Sequence, residues 1–131
     1  MSEAGVPDEV RRFLADEIHS VEQLEVLLSL HRQPAEWWTA ERMAAELRTS
    51  SDSVATRMAE MTVRGLLESQ EEDGLRYRYC RAKPETGRVV EMLDRLYNER
   101  RVTIITLIFS KPLDSIRDFS DAFRLRKREE S

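Results

Sequence analysis

Residues 39–67, TAERMAAELRTSSDSVATRMAEMTVRGLL, spell two short helices, a tight turn and a stop. Thr39 is placed to cap a first helix, whose Met43, Ala44 and Leu47 fall on one face. Four short polar residues, Thr49, Ser50, Ser51 and Asp52, follow Arg48, and their side chains suit the free amides of a second helix start. In that second helix, expected over about 52–64, Val54, Met58 and Met61 recur at spacings of four and three, which makes one buried stripe. Gly65 is the residue type that ends a helix in a left-handed conformation, and Leu66 and Leu67 then enter the core as a strand begins.

Beyond the helices, residues 66–69 and 75–80 are strand-like runs joined by Gln70-Glu71-Glu72-Asp73-Gly74, and Asp-Gly closing a polar loop is a hairpin signal. The order of elements across residues 21–83, with the step Arg64-Gly65-Leu66-Leu67 ending the second helix, resembles the winged helix-turn-helix domain of bacterial transcription regulators of the MarR type. The resemblance implies a mainly α fold with a small β-wing, a recognition helix near 52–64, and double-stranded DNA as partner. Removing the buried stripe leaves Ser51, Ser53, Thr56, Arg57, Glu60 and Arg64 as the outward residues of that helix. Hydroxyls and arginines of this kind contact phosphates and base edges, so Ser51, Ser53, Thr56, Arg57 and Arg64 are candidate DNA contacts. In the second wing strand Arg76 and Arg78 project from one face and Tyr77 and Tyr79 from the other, which adds the two arginines to the set.

Charge runs against this reading. The 131 residues carry a net charge of −4, while affinity for DNA comes largely from neutralising phosphates. The deficit sits in residues 1–35, where Glu3, Asp8, Glu9, Asp16, Glu17, Glu22 and Glu25 outnumber Arg11, Arg12 and Arg32. Asp52 and Glu60 offset Arg57 and Arg64, and the wing tip Glu71-Glu72-Asp73 would be repelled by a phosphate backbone.

The flanks are helical in pattern. Residues 7–19 form an amphipathic helix with Val10, Phe13, Leu14 and Ile18, and Ser20 with Gln23 has the form of a capping box opening the next. That second helix carries Val21, Leu24, Val26, Leu27, Leu28 and Leu30, a broad apolar surface to be buried under the helix-turn-helix. Residues 31–36 read as a loop stopped by Pro34; Trp37 and Trp38 follow in a short strand, one facing the core and one facing out. His19 and His31 have no partner at metal spacing and suit helix ends.

Pro84 marks a boundary, after which Val89, Val90, Leu93, Leu96 and Tyr97 lead as one long helix into the apolar run Val102–Phe109, through about Ser110. The β-branched content of that run also permits a strand. So apolar a segment requires cover, for which a second subunit is the expected source. A last helix opens at Pro112 with Leu113, Ile116, Phe119 and Phe123 on one stripe, and Arg124, Arg126, Lys127 and Arg128 make a basic end.

The chain therefore divides into an N-terminal helix (1–20), a winged helix-turn-helix domain (21–83) and a C-terminal helical dimerisation or interaction region (84–131). The acidic start MSEAGVPDEV is no signal peptide and no apolar run reaches bilayer length, so no membrane partner and a cytoplasmic location are expected. The single cysteine, Cys80, excludes an internal disulfide, and reads as a small half-buried residue at the wing's end; Arg78 and Arg81 beside it leave a redox-sensing role open. With no phosphate loop, paired-histidine site or nucleophile with an evident base, no enzyme activity, catalytic residue, metal or cofactor is expected. Trp37, Trp38, Tyr77 and Tyr97 are available to line a ligand pocket, but no polar constellation singles out a ligand. Two functions remain: a homodimeric DNA-binding transcriptional regulator, and a winged-helix adaptor or antirepressor that binds protein instead of DNA.

Overall fold

The computed structural model describes residues 5–110, a mainly α fold of six helices with one small β-hairpin. The order is α1 (Asp8–Glu17), α2 (Val21–Arg32), α3 (Ala40–Leu47), α4 (Ser51–Val63), β1 (Leu67–Glu71), β2 (Leu75–Tyr79), α5 (Pro84–Glu99) and α6 (Arg101–Ser110). The helix expected from Pro112 and the basic end beyond it lie outside the described residues.

Helix α2 is the hub, in contact with α3, α4, β2 and α5. Its apolar residues Leu24, Val26, Leu27, Leu28 and Leu30 are all buried, as their spread around the helix requires; only Val21, at its start, stays half-exposed. Ser20 caps it, its Oγ accepting from the Gln23 amide at 3.0 Å. Gln23 does more than close a capping box. Its Oε1 accepts from the His19 amide at 2.7 Å and its Nε2 donates to the Glu17 carbonyl at 2.7 Å, so this buried amide joins the end of α1 to the start of α2. The helix also runs on through His31 and Arg32, two residues into the segment expected to be loop, because the chain turns only where Pro34 forbids further helix.

Helices α3 and α4 are joined by Arg48, Thr49 and Ser50. Thr39 Oγ1 accepts from the Arg42 amide at 3.1 Å to begin α3, and Arg48 ends it with φ 59° and ψ 50°, a left-handed residue that is not glycine. Ser50 is the cap of α4, its Oγ accepting from Ser53 N at 3.3 Å, so the helix starts at Ser51 and not at Asp52. Val54, Met58 and Met61 are fully buried. The end follows the expected pattern: Gly65 has φ +84°, its amide bonds to the Thr62 carbonyl at 3.0 Å, and the Leu66 amide bonds to Met61 at 2.9 Å.

The hairpin pairs Leu67 with Tyr79 through Glu71 with Leu75, so its loop is only Glu72, Asp73 and Gly74. Asp73 and Gly74 both have positive φ, which a tight loop needs. Tyr77 and Tyr79 face the core, and Trp38 bridges to the sheet by exchanging hydrogen bonds of 2.7 and 2.8 Å with Tyr77. Trp38 is buried and Trp37 is not, which is the expected division.

The expected single helix after Pro84 is two. Arg100, with φ −135° and ψ 58°, ends α5, and α6 restarts at Arg101; the apolar run is helical, not a strand. The break lets Ile104 and Ile108 turn inward, and α6 contacts α1 and α5. Val102 and Phe109 remain 77% exposed, so the run is only partly covered. Helix α1 packs on α5 and α6 of its own chain through Val10, Leu14 and Ile18. No helix among the described residues is long and apolar enough to cross a membrane.

Because a Cβ at position 65 meets nothing nearer than 3.7 Å, the cost of Gly65→Ala is conformational and not steric. Urea denaturation should find the variant less stable by roughly 1–2 kcal/mol, with an unchanged m-value.

Candidate nucleic-acid interface

The residues proposed to meet DNA do not share one surface. Glu22, at the second position of α2, takes most of one flank of α4. Its carboxylate accepts from Thr49 Oγ1 at 2.6 Å and from Ser53 Oγ, and Arg57 Nε lies 3.4 Å from Oε1, an ion pair without hydrogen-bond alignment. Arg57 also pairs with Glu60 at 3.6 Å. Ser53 and Arg57 are therefore turned along the protein toward α2 instead of outward, a correction to the periodicity reading. Arg64 behaves likewise: its Nη1 meets Glu17 at 3.0 Å, against the end of α1.

Burial raises the Glu22 carboxyl, but hydrogen bonds from Ser53 and Thr49 and the charge of Arg57 outweigh it, and the net pKa lies below the usual 4.5. Glu22 is thus an anion already compensated by Thr49, Ser53 and Arg57 of its own chain.

What α4 presents outward is different. Asp52, Thr56, Ala59, Glu60 and Val63 are exposed, Val63 by 88%. Of the expected set Thr56 and Arg64 are exposed; Arg64 is held by Glu17, and the Thr56 hydroxyl bonds back to the Asp52 carbonyl at 3.1 Å. Ser51, at the first position of the helix, is half-buried. This face is neutral to acidic.

On the hairpin, Arg78 donates to Glu68 at 2.6 Å and lies over the Trp37 ring at 4.3 Å. It is held on the sheet face by an ion pair and a cation–π contact, and not left free beside α4. Arg76 is half-buried and forms no ion pair among the described residues; its Nε is buried with no hydrogen-bond partner there. Arg48, in the left-handed turn, is exposed and has no ion pair among the described residues either. Sequence reading missed both Glu22 as a clamp and Arg48 as a free cation. Only the position of Glu22 inside the first turn of α2 hinted at the former, and nothing in the sequence announces an arginine in the αL region.

The aromatic side chains available for a ligand pocket are engaged separately. Trp38 and Tyr77 pair backbone to backbone, Trp37 lies under Arg78, and Tyr97 donates to Glu25 at 2.8 Å. Arg101 reaches the same Glu25 oxygen at 2.9 Å, and burial together with the Glu25 bond pushes the Tyr97 phenol up to about 12. Cys80 is half-buried, a free thiol whose amide bonds to the Leu66 carbonyl at 3.0 Å. No group of three His, Cys, Asp or Glu side chains among the described residues is placed to hold a metal ion.

Comparison of the chain with protein-family models, with curated proteins and with solved structures found no match.

The Glu22 clamp has a pH signature. A carboxylate whose folded pKa is below its unfolded value stabilises the protein above the unfolded pKa, and that contribution is lost as pH falls through the folded one. Glu22→Gln should cost roughly 1–2 kcal/mol at pH 7, and its difference from the parent protein should shrink below pH 4.5, in urea titrations run at both acidities. A difference that is the same at both would mean that the charge of Glu22 contributes nothing.

Proposed function

We propose that this protein is a winged-helix DNA-binding regulator, similar in organisation to the MarR type and acting as a dimer. One observation carries the reading: two helices joined by a three-residue turn, the second exposed along one face and followed by a hairpin, as major-groove and backbone readers require. The contacting set differs from the one periodicity suggests. Arg48 at the turn, Ser51 and Thr56 on α4, and Arg76 on the hairpin are the groups not occupied by carboxylates of the same chain. Arg57, Arg64 and Arg78 contribute little while their partners hold them. Two subunits would double the phosphate contacts of a weakly charged domain, and the exposed Val102 and Phe109 of α6 support a second copy as cover.

The adaptor reading is favoured by a separate observation: the outward face of α4 is uncharged or acidic and ends in Val63, 88% exposed, a composition that suits a protein partner better than a phosphate backbone.

Fluorescence anisotropy with duplex DNA from around the protein's own gene, at two salt concentrations, separates the readings. For a DNA regulator, Arg48→Ala and Arg76→Ala each weaken binding across sequences and lower the log–log salt slope by about 1. Arg57→Ala changes affinity little, and Glu22→Gln tightens it by freeing Ser53 and Arg57. A folded protein with no salt-sensitive binding, unaffected by all four substitutions, transfers the assignment to the adaptor.

A further inference from the structure

Among the described residues, three cations without ion-pair partners gather away from α4, where the root of the hairpin meets α5. There a cleft of about 360 Å³ is lined by His31 at the end of α2, by Tyr79, Arg81 and Lys83 after β2, and by Gly87, Arg88 and Glu91 on α5. Arg81, Lys83 and Arg88 are exposed and none forms an ion pair among the described residues; Glu91 is the only carboxylate of the lining. The N-terminus of α5 opens here. Lys83 gives it no side-chain cap, so the amides of Glu85 and Thr86, in a first turn led by Pro84, have no acceptor within the helix.

A second, independent observation points to a ligand. Tyr79 is only 3% exposed, yet its hydroxyl has no hydrogen-bond partner among the described residues, and a Cβ on Gly87 would stand 3.7 Å from it. A methyl on Gly87 would come into van der Waals contact with this buried donor at the wall of the cleft. His31 Nδ1 is also buried without a partner among the described residues, and the two rings meet edge to face with centroids 4.9 Å apart. Burial raises the Tyr79 phenol, which keeps its proton at neutral pH. Burial also lowers His31, with Asp94 and Glu91 opposing and Arg32 assisting, so the imidazole is neutral there. Two polar atoms left unsatisfied at the wall of a cationic cleft cost free energy unless something occupies them.

We propose that this cleft binds a phosphate-type oxyanion, with Lys83, Arg81 and Arg88 supplying charge, the α5 amides supplying donors, and the Tyr79 hydroxyl donating from the wall. The inference does not depend on how α4 is used. The anion comes either from a small phosphorylated molecule or from the backbone of DNA, and the chemistry of recognition is the same.

The test is an amide chemical-shift titration of the full chain with inorganic phosphate, repeated with a short duplex. Saturable shifts centred on Tyr79, Lys83 and residues 85–88 are expected. Gly87→Ala retains every charge and favours the helix, so it should fold at least as well. Its methyl narrows the space before the Tyr79 hydroxyl, and it should weaken phosphate binding by about tenfold, as should Lys83→Ala, while Tyr79→Phe has a smaller effect. A duplex that shifts the same amides and is displaced by phosphate identifies DNA as the source. A duplex that leaves them alone identifies a small anion. The proposal is overturned if phosphate produces no saturable shift, or if Gly87→Ala and Lys83→Ala bind it as the parent does.

Discussion

Glu22 stands at the second position of α2, and its carboxylate gathers Thr49 from the inter-helix turn together with Ser53 and Arg57 from α4. Apolar packing of Val54, Met58 and Met61 sets which stripe of α4 is buried. The directed, charge-assisted contacts of Glu22 then hold Ser53 and Arg57 along the α2 flank, and the candidate interface inherits that choice. Gln23, the next residue, makes the corresponding join to α1, so two adjacent polar residues on α2 orient the elements on either side.

The same economy governs charge. Among the described residues seven arginines pair with carboxylates: Arg11, Arg32, Arg42, Arg57, Arg64, Arg78 and Arg101. The acidic N-terminal third, which looks like a surplus in sequence, supplies the partners of several of them: Glu17 for Arg64, Glu22 for Arg57 and Glu25 for Arg101. Most of these pairs are partly exposed and individually weak. On the proposed DNA-binding reading their effect on function would exceed their effect on stability, because a guanidinium already held by a carboxylate displaces fewer counterions from DNA. Among the described residues, positive charge without an ion-pair partner includes Arg48, Arg76 and the cations of the cleft at the start of α5.

Local signals along the chain mark most of the elements. Thr39 and Ser20 are caps, Gly65 ends α4 in the αL region, Asp73-Gly74 turns the hairpin, and Trp38 goes in while Trp37 stays out. Each of these depends on neighbours within a few residues. The misses were different in kind. The break at Arg100 has no proline or glycine to mark it, and follows from the packing of α6 against α1 and α5, segments far apart in sequence.

Except at the restart of α6, sequence alone determined closely where helices and strands begin and which stripe is buried, because backbone capping and hydrophobic periodicity are short-range properties of the chain. Only the tertiary structure decided which cations are free. Periodicity separates buried from exposed positions but not one exposed flank from the other, and Arg57 is spent or available according to a carboxylate thirty-five residues away. The same holds for the cleft at α5, which exists because His31, Tyr79 and Gly87 come together from three separate elements.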